Sequence, residues 1–182
     1  MAELAQFLAI AAFVALALAF ALFVRRAGRF VAETRELESF RRQMADLTSR
    51  VDTSLDGVAS RIDGVRRRTL AAEAITENIA AATEAVQRYA AEAQAMHGPL
   101  QIVEIRDALI AELDRAGRAL QMVEHGCTIL TSARIGGREL EAQTAIKRGY
   151  LNVLHAREAI RRHGARAATV GLQPRMFERR NA

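Results

Sequence analysis

His125 and Cys127 put an imidazole and a thiol two residues apart, a spacing that could open a metal site. Zinc takes four ligands, however, and the chain has no second cysteine, so the pair reads as an inter-helix loop with a buried thiol. No metal and no cofactor is expected. His155 and His163 stand eight residues apart, a little over two helical turns, and therefore share a face. They are read as surface or capping groups, with His163 favourably placed near a helix C-terminus. Glu139 and Glu141 point to different faces of a helix and do not converge as an acid and base pair.

Arg157, five intervening residues and His163 form one further pattern. This pattern resembles the R-x(4 to 6)-H motif of HEPN domains, small helical bundles, some of which cleave RNA with that arginine and histidine at a paired interface. The resemblance covers these two residues and implies an RNA-processing or nucleic-acid-binding alternative. The sequence holds no phosphate-binding loop of the Walker type, no GxGxxG, no HExxH and no nucleophile elbow. The expectation is accordingly a non-enzymatic protein.

The elements that would carry these residues are very unequal in composition. Mean hydropathy is near zero, yet the first 24 of the 182 residues hold one charge, Glu3, and the rest hold the other 46. The length allows one ordinary domain beside a spanning segment. Leu4 to Val24 is apolar except for Gln6, and as a helix it would extend about 32 Å, the thickness of a bilayer core. A cleaved secretory signal, for which Ala17, Leu18 and Ala19 could offer a cleavage site, is the competing reading; against it, the run exceeds the usual roughly 7 to 15 residues and no basic residue precedes it. Arg25, Arg26 and Arg29 follow directly, so the positive-inside rule places the amino terminus outside and the long C-terminal part in the cytoplasm, with the protein in the inner membrane.

Beyond the span, apolar residues recur at intervals of three and four through Leu37, Phe40, Met44, Leu47, Val51, Leu55, Val58, Ile62 and Val65. Three successive sevens begin at Val51, Val58 and Val65, a heptad repeat with a narrow seam. The seam of Val51, Leu55, Val58, Ile62 and Val65 is the predicted interaction surface, for a homo-oligomer or for a helical partner protein. A long helix folding back on its own chain is the competing reading. Gly57 and Gly64 each weaken the helix by about 1 kcal/mol relative to alanine. The seam continues through Ile75, Ile79, Ala82, Val86, Tyr89, Ala93 and Met96 until His97, Gly98 and Pro99 end it. A span followed by such a stalk is similar in plan to the broad class of bacterial proteins with one N-terminal span and a long cytoplasmic coiled coil, stress proteins among them. That similarity covers about the first 70 residues.

Past Pro99 the apolar face widens, a break is predicted over His125 to Gly137, and a last amphipathic helix runs from about Arg138 to His163 with Leu140, Ile146, Tyr150, Val153, Leu154 and Ile160 inward. The fold class is therefore all-α: a single N-terminal transmembrane helix (1–26), a long coiled-coil-like helix (27–97), a distal antiparallel helical hairpin or bundle (98–164) and a basic flexible tail (165–182). Charge is segregated, with 11 basic and 7 acidic residues over 25–70, 4 and 9 over 71–125, and 11 and 4 from 126 onward. The basic ends suit the membrane lipid bilayer or acidic helices. Nucleic acid is a poor fit, because no aromatic residues are interleaved among the arginines.

Overall fold

The computed structural model describes the backbone of residues 2–97, 100–132 and 137–170, and side chains over 16–26, 34–97, 102–132 and 137–170. All the secondary structure there is helical: α1 (Ala2–Arg66), a single 3-10 turn (Glu73–Ile75), α2 (Thr76–Ala95), α3 (Leu100–Thr131) and α4 (Glu139–Thr169). The chain divides into two units, Met1–Ser39 and Phe40–Ala182.

Within the second unit the helices run up and down around one core. Arg61 and Arg50 of α1 bond Asn78 and Glu92 of α2, so that residue numbers rise on one helix as they fall on the other. In the same antiparallel sense, Gly117 of α3 lies against Val86 while Arg106 bonds the Met96 carbonyl beyond the end of α2, and Gly149 of α4 lies against Val123 while Ile146 lies against Gly126 of α3. The ring closes where Thr48 of α1 meets Gly164 of α4. Phe40, Met44, Leu47, Ile79, Leu109, Leu113, Leu120, Val153 and Ile160 are all buried inside. Each large aliphatic or aromatic side chain so placed contributes about 1.5–3 kcal/mol before the entropy of ordering is subtracted.

The uninterrupted helix expected up to Met96 is not what forms. α1 stops at Arg66, and the chain reverses before α2 begins. Its end is a Schellman motif: the Thr69 N–H donates to the Gly64 carbonyl and the Arg68 N–H to that of Val65, with Arg68 at φ 61°. The Leu70 side chain folds back over Gly64, its Cδ1 2.6 Å from where a Cβ would stand. Arg68 thus stands in the left-handed position where a glycine is usual.

Three further expectations are corrected. α3 runs through His125, Gly126 and Cys127 to Thr131 rather than breaking there, because Gly126 serves close packing: a Cβ on it would lie 2.8 Å from the Ala142 carbonyl oxygen of α4. α4 passes through Gly164 to Thr169, since that glycine accommodates Thr48. Leu140, placed inward by its period, is 77% exposed in the first turn of α4. The tail from residue 171 onward lies outside the described residues.

Candidate functional site

Seam residues Val51, Leu55, Val58, Ile62 and Val65 are buried, at 0–6% exposure, within the single chain. The faces that cover them come from this chain's own helices, so the seam is filled before any partner arrives. A partner could reach it only by opening the bundle.

The first unit presents the opposite surface. Leu16, Leu18, Phe20, Leu22, Phe23 and Val24 are 52–71% exposed, and at 100° per residue they and the exposed Ala17, Ala19 and Ala21 between them cover every side of the helix. Exposed Arg25 and Arg26 follow immediately. The expected span Leu4–Val24 falls largely on residues up to 15, whose side chains lie outside the described residues, as does that of Arg29. Among the described residues no helix is long and apolar enough to cross a membrane.

The densest polar cluster joins α1 to α4. Arg157 Nε donates to Asp52 Oδ1 at 2.5 Å, a second nitrogen of the same guanidinium bonds Asp56, and Arg161 Nε reaches Asp52 Oδ1 at 3.0 Å. The Arg157 side chain is 18% exposed, which strengthens these bonds relative to surface pairs. Its guanidinium holds the Asp52 carboxyl below its ordinary value of 3.8, against the opposing effect of burial, and Arg161 adds to the shift. Further along, Arg41 donates to the Val170 carbonyl at the end of α4, satisfying one of the acceptors that a helix C-terminus leaves open. The cluster was not singled out from sequence, although its signal is simple: carboxylates four residues apart on one helix and guanidiniums four apart on another.

The same cluster decides where Arg157 and His163 stand. Six residues along a helix turn through about 600°, leaving the two side chains about 120° apart. Arg157 is committed to α1, whereas His163 is half-buried, with an Nδ1 that has no hydrogen-bond partner among the described residues. Burial lowers the His163 pKa below 6.5; Glu112 of α3 opposes the shift, and Arg166 and Arg162 reinforce it. The two residues are therefore not brought together.

His125 is exposed while Cys127 is buried, so the expected thiol burial is present but in a helix rather than a loop. Burial pushes the Cys127 thiol up to about 11, helped by Glu73 and Glu124, which keeps it protonated and unreactive at neutral pH. No cluster of three or more candidate metal ligands occurs among the described residues. His155 is exposed on the outer face of α4, in line with the surface role expected for it. Compared with models of protein families, with curated proteins and with solved structures, the chain matches none.

Proposed function

We propose that the chain is a non-enzymatic, membrane-anchored helical protein, a scaffold or accessory subunit that holds a four-helix bundle at the cytoplasmic face of the inner membrane. The supporting observation is the helix from Leu16 to Val24, whose apolar side chains are exposed on all sides. A helix that is apolar all round needs an apolar medium on every side, which a bilayer supplies and a single protein groove does not. Arg25, Arg26 and Arg29 then set the orientation and meet anionic head groups. The bundle has its own core, so the coiled-coil association expected through Val51 to Val65 gives way, in this reading, to contacts made by the bundle's outer faces.

Fractionation tests the anchor. The full chain should stay with membranes through an alkaline wash, and removal of residues 1–26 should release it. A full chain extracted by the wash contradicts the anchor. The ribonuclease reading suggested by Arg157 and His163 has no observation in its favour, and RNA should survive incubation with the full chain as it does in a blank.

A further inference from the structure

We infer that copies of this chain associate side by side, the basic outer stripe of α4 on one copy docking against the acidic outer stripe of α2 on the next. The inference builds on the membrane-anchored reading, in which the bilayer holds neighbouring copies in one orientation and so favours the contact.

The outer face of α4 carries Arg148, His155 and Arg162 at intervals of seven, about 10.5 Å apart along the helix, and all three are exposed. Arg148 and Arg162 have no ion-pair partner among the described residues, unlike Arg157 and Arg161, which α1 neutralises. On α2 the exposed Glu77 and Glu84, also seven apart, share the outer face with Arg88, and Glu92 beyond them is bonded to Arg50 of α1. Glu77 likewise has no ion-pair partner among the described residues, and the Glu84 carboxylate lies 3.8 Å from Arg88 with 73% of its side chain exposed. The acidic helix of the chain thus leaves the basic one uncompensated.

The fold places these stripes at matching heights. Arg50 of α1 bonds Glu92 of α2, and Thr48, two residues earlier, abuts Gly164 of α4, so Glu92 stands level with Arg162. Arg61 bonds Asn78 of α2, and the same α1 to α4 pairing puts Asn78 level with Leu151. Stepping along from these anchors brings Glu77 to Arg148 and Glu84 to His155 within about two residues, or about 3 Å. Leu151, an exposed leucine, falls opposite exposed Ala80 and Ala81, and Glu158 falls near the height of Arg88.

Direction agrees as well as height. α2 and α4 are both antiparallel to α1, so in two copies standing the same way up, α4 of one runs parallel to α2 of the other. α1 and α3 each lie between α2 and α4 within one chain, so the two stripes are on opposite flanks and cannot meet intramolecularly. The contact is therefore heterologous and propagates from copy to copy as a ring or a row. Arg166 falls near the height of the small residue Ala95. Nucleic acid would use the same arginines but would leave the matched acidic stripe without a role.

Cysteine pairing in membranes tests this. Full-length chains bearing both Glu84→Cys and His155→Cys should give a disulfide ladder extending beyond the dimer, and a mixture of the two single variants should stop at the dimer. Each single variant alone should stay monomeric, because Cys127 is buried. Adding Glu77→Arg to the double variant should reduce the ladder at least tenfold, and Arg148→Glu on the same chains should restore it; both sites are exposed, and unchanged helical content confirms folding. Absence of a ladder from a chain that remains in the membrane overturns the lateral contact while leaving the anchor intact. A ladder from a chain recovered outside the membrane overturns the anchor and supports the contact. Retention of RNA that depends on Arg148 and Arg162, without any cross-link, would identify a nucleic-acid face and overturn the inference.

Discussion

α4 is held to its two neighbours by different physics. Against α3 it is held by close approach: Gly149 has the Ala119 carbonyl oxygen 2.8 Å from where a Cβ would sit, and Gly126 of α3 has the same relation to Ala142. Small residues recur at seven-residue intervals on both sides, Ala119 and Gly126 facing Ala142 and Gly149, with Ala156 continuing the series on α4. Against α1 the same helix is held by a charged clamp, Asp52 and Asp56 around Arg157 and Arg161. Dispersion and burial hold the first contact and depend on shape; charge-assisted hydrogen bonds hold the second and depend on protonation. Enlarging a residue should therefore damage one interface, and removing a charge should damage the other.

The largest effect is expected at the small-residue seam. Gly149→Leu places a side chain into helix backbone, which cannot yield as a flexible side chain would, and should cost about 3 kcal/mol or more in denaturant unfolding. A cost below about 1 kcal/mol would show that α3 and α4 are not so close. Next comes Arg157→Ala, which strips Asp52 of its main partner and should cost about 1–2 kcal/mol, the exposed Asp56 bond contributing little. High salt should leave the Gly149→Leu effect unchanged and reduce that of Arg157→Ala.

Acid separates the interfaces further. The folded Asp52 pKa lies below its unfolded value, so its stabilisation is complete above about pH 4 and fades as pH falls through the folded value. Arg157→Ala should flatten that loss, whereas Gly149→Leu should not. His163 acts earlier: its folded pKa is depressed below 6.5, so stability is lost as pH falls from above 6.5 through the folded value, and His163→Gln should remove the slope. An unchanged slope in that variant would place the titration elsewhere.

The smallest effect has the opposite sign. Gly57 is exposed in mid-helix with nothing within 4 Å of a notional Cβ. Gly57→Ala should therefore stabilise the bundle by about 0.5–1 kcal/mol, in contrast to Gly149.

These two glycines also show how far the sequence could be read. Both lie in helices and look equally costly by propensity; only the neighbour across the interface distinguishes them. Periodicity likewise marked Val51 to Val65 as a face to be buried, but a stripe does not say whose helix buries it. The reversal after Arg66 was hidden because Arg68 takes the left-handed position that glycine would have announced. His97 to Pro99, by contrast, carried ordinary stop signals, and α2 does end at Ala95. The clamp was legible in principle, since matched pairs at four-residue spacing lie on α1 and α4, although neither helix alone reveals that they meet.

The central claim is that α1 packs on α4 of its own chain rather than on a second α1. Thr48→Cys with Gly164→Cys tests it most directly, because the Thr48 Cβ lies 3.2 Å from an ideal Cβ at position 164, and a small shift brings the pair to the roughly 3.8 Å of a disulfide. Mild oxidation of the full-length double variant should close a bond within one chain, leaving a monomer on a non-reducing gel with both introduced thiols consumed. A product at dimer mass, or thiols that stay free, would mean that the Val51 to Val65 face is open to a partner and would contradict the bundle.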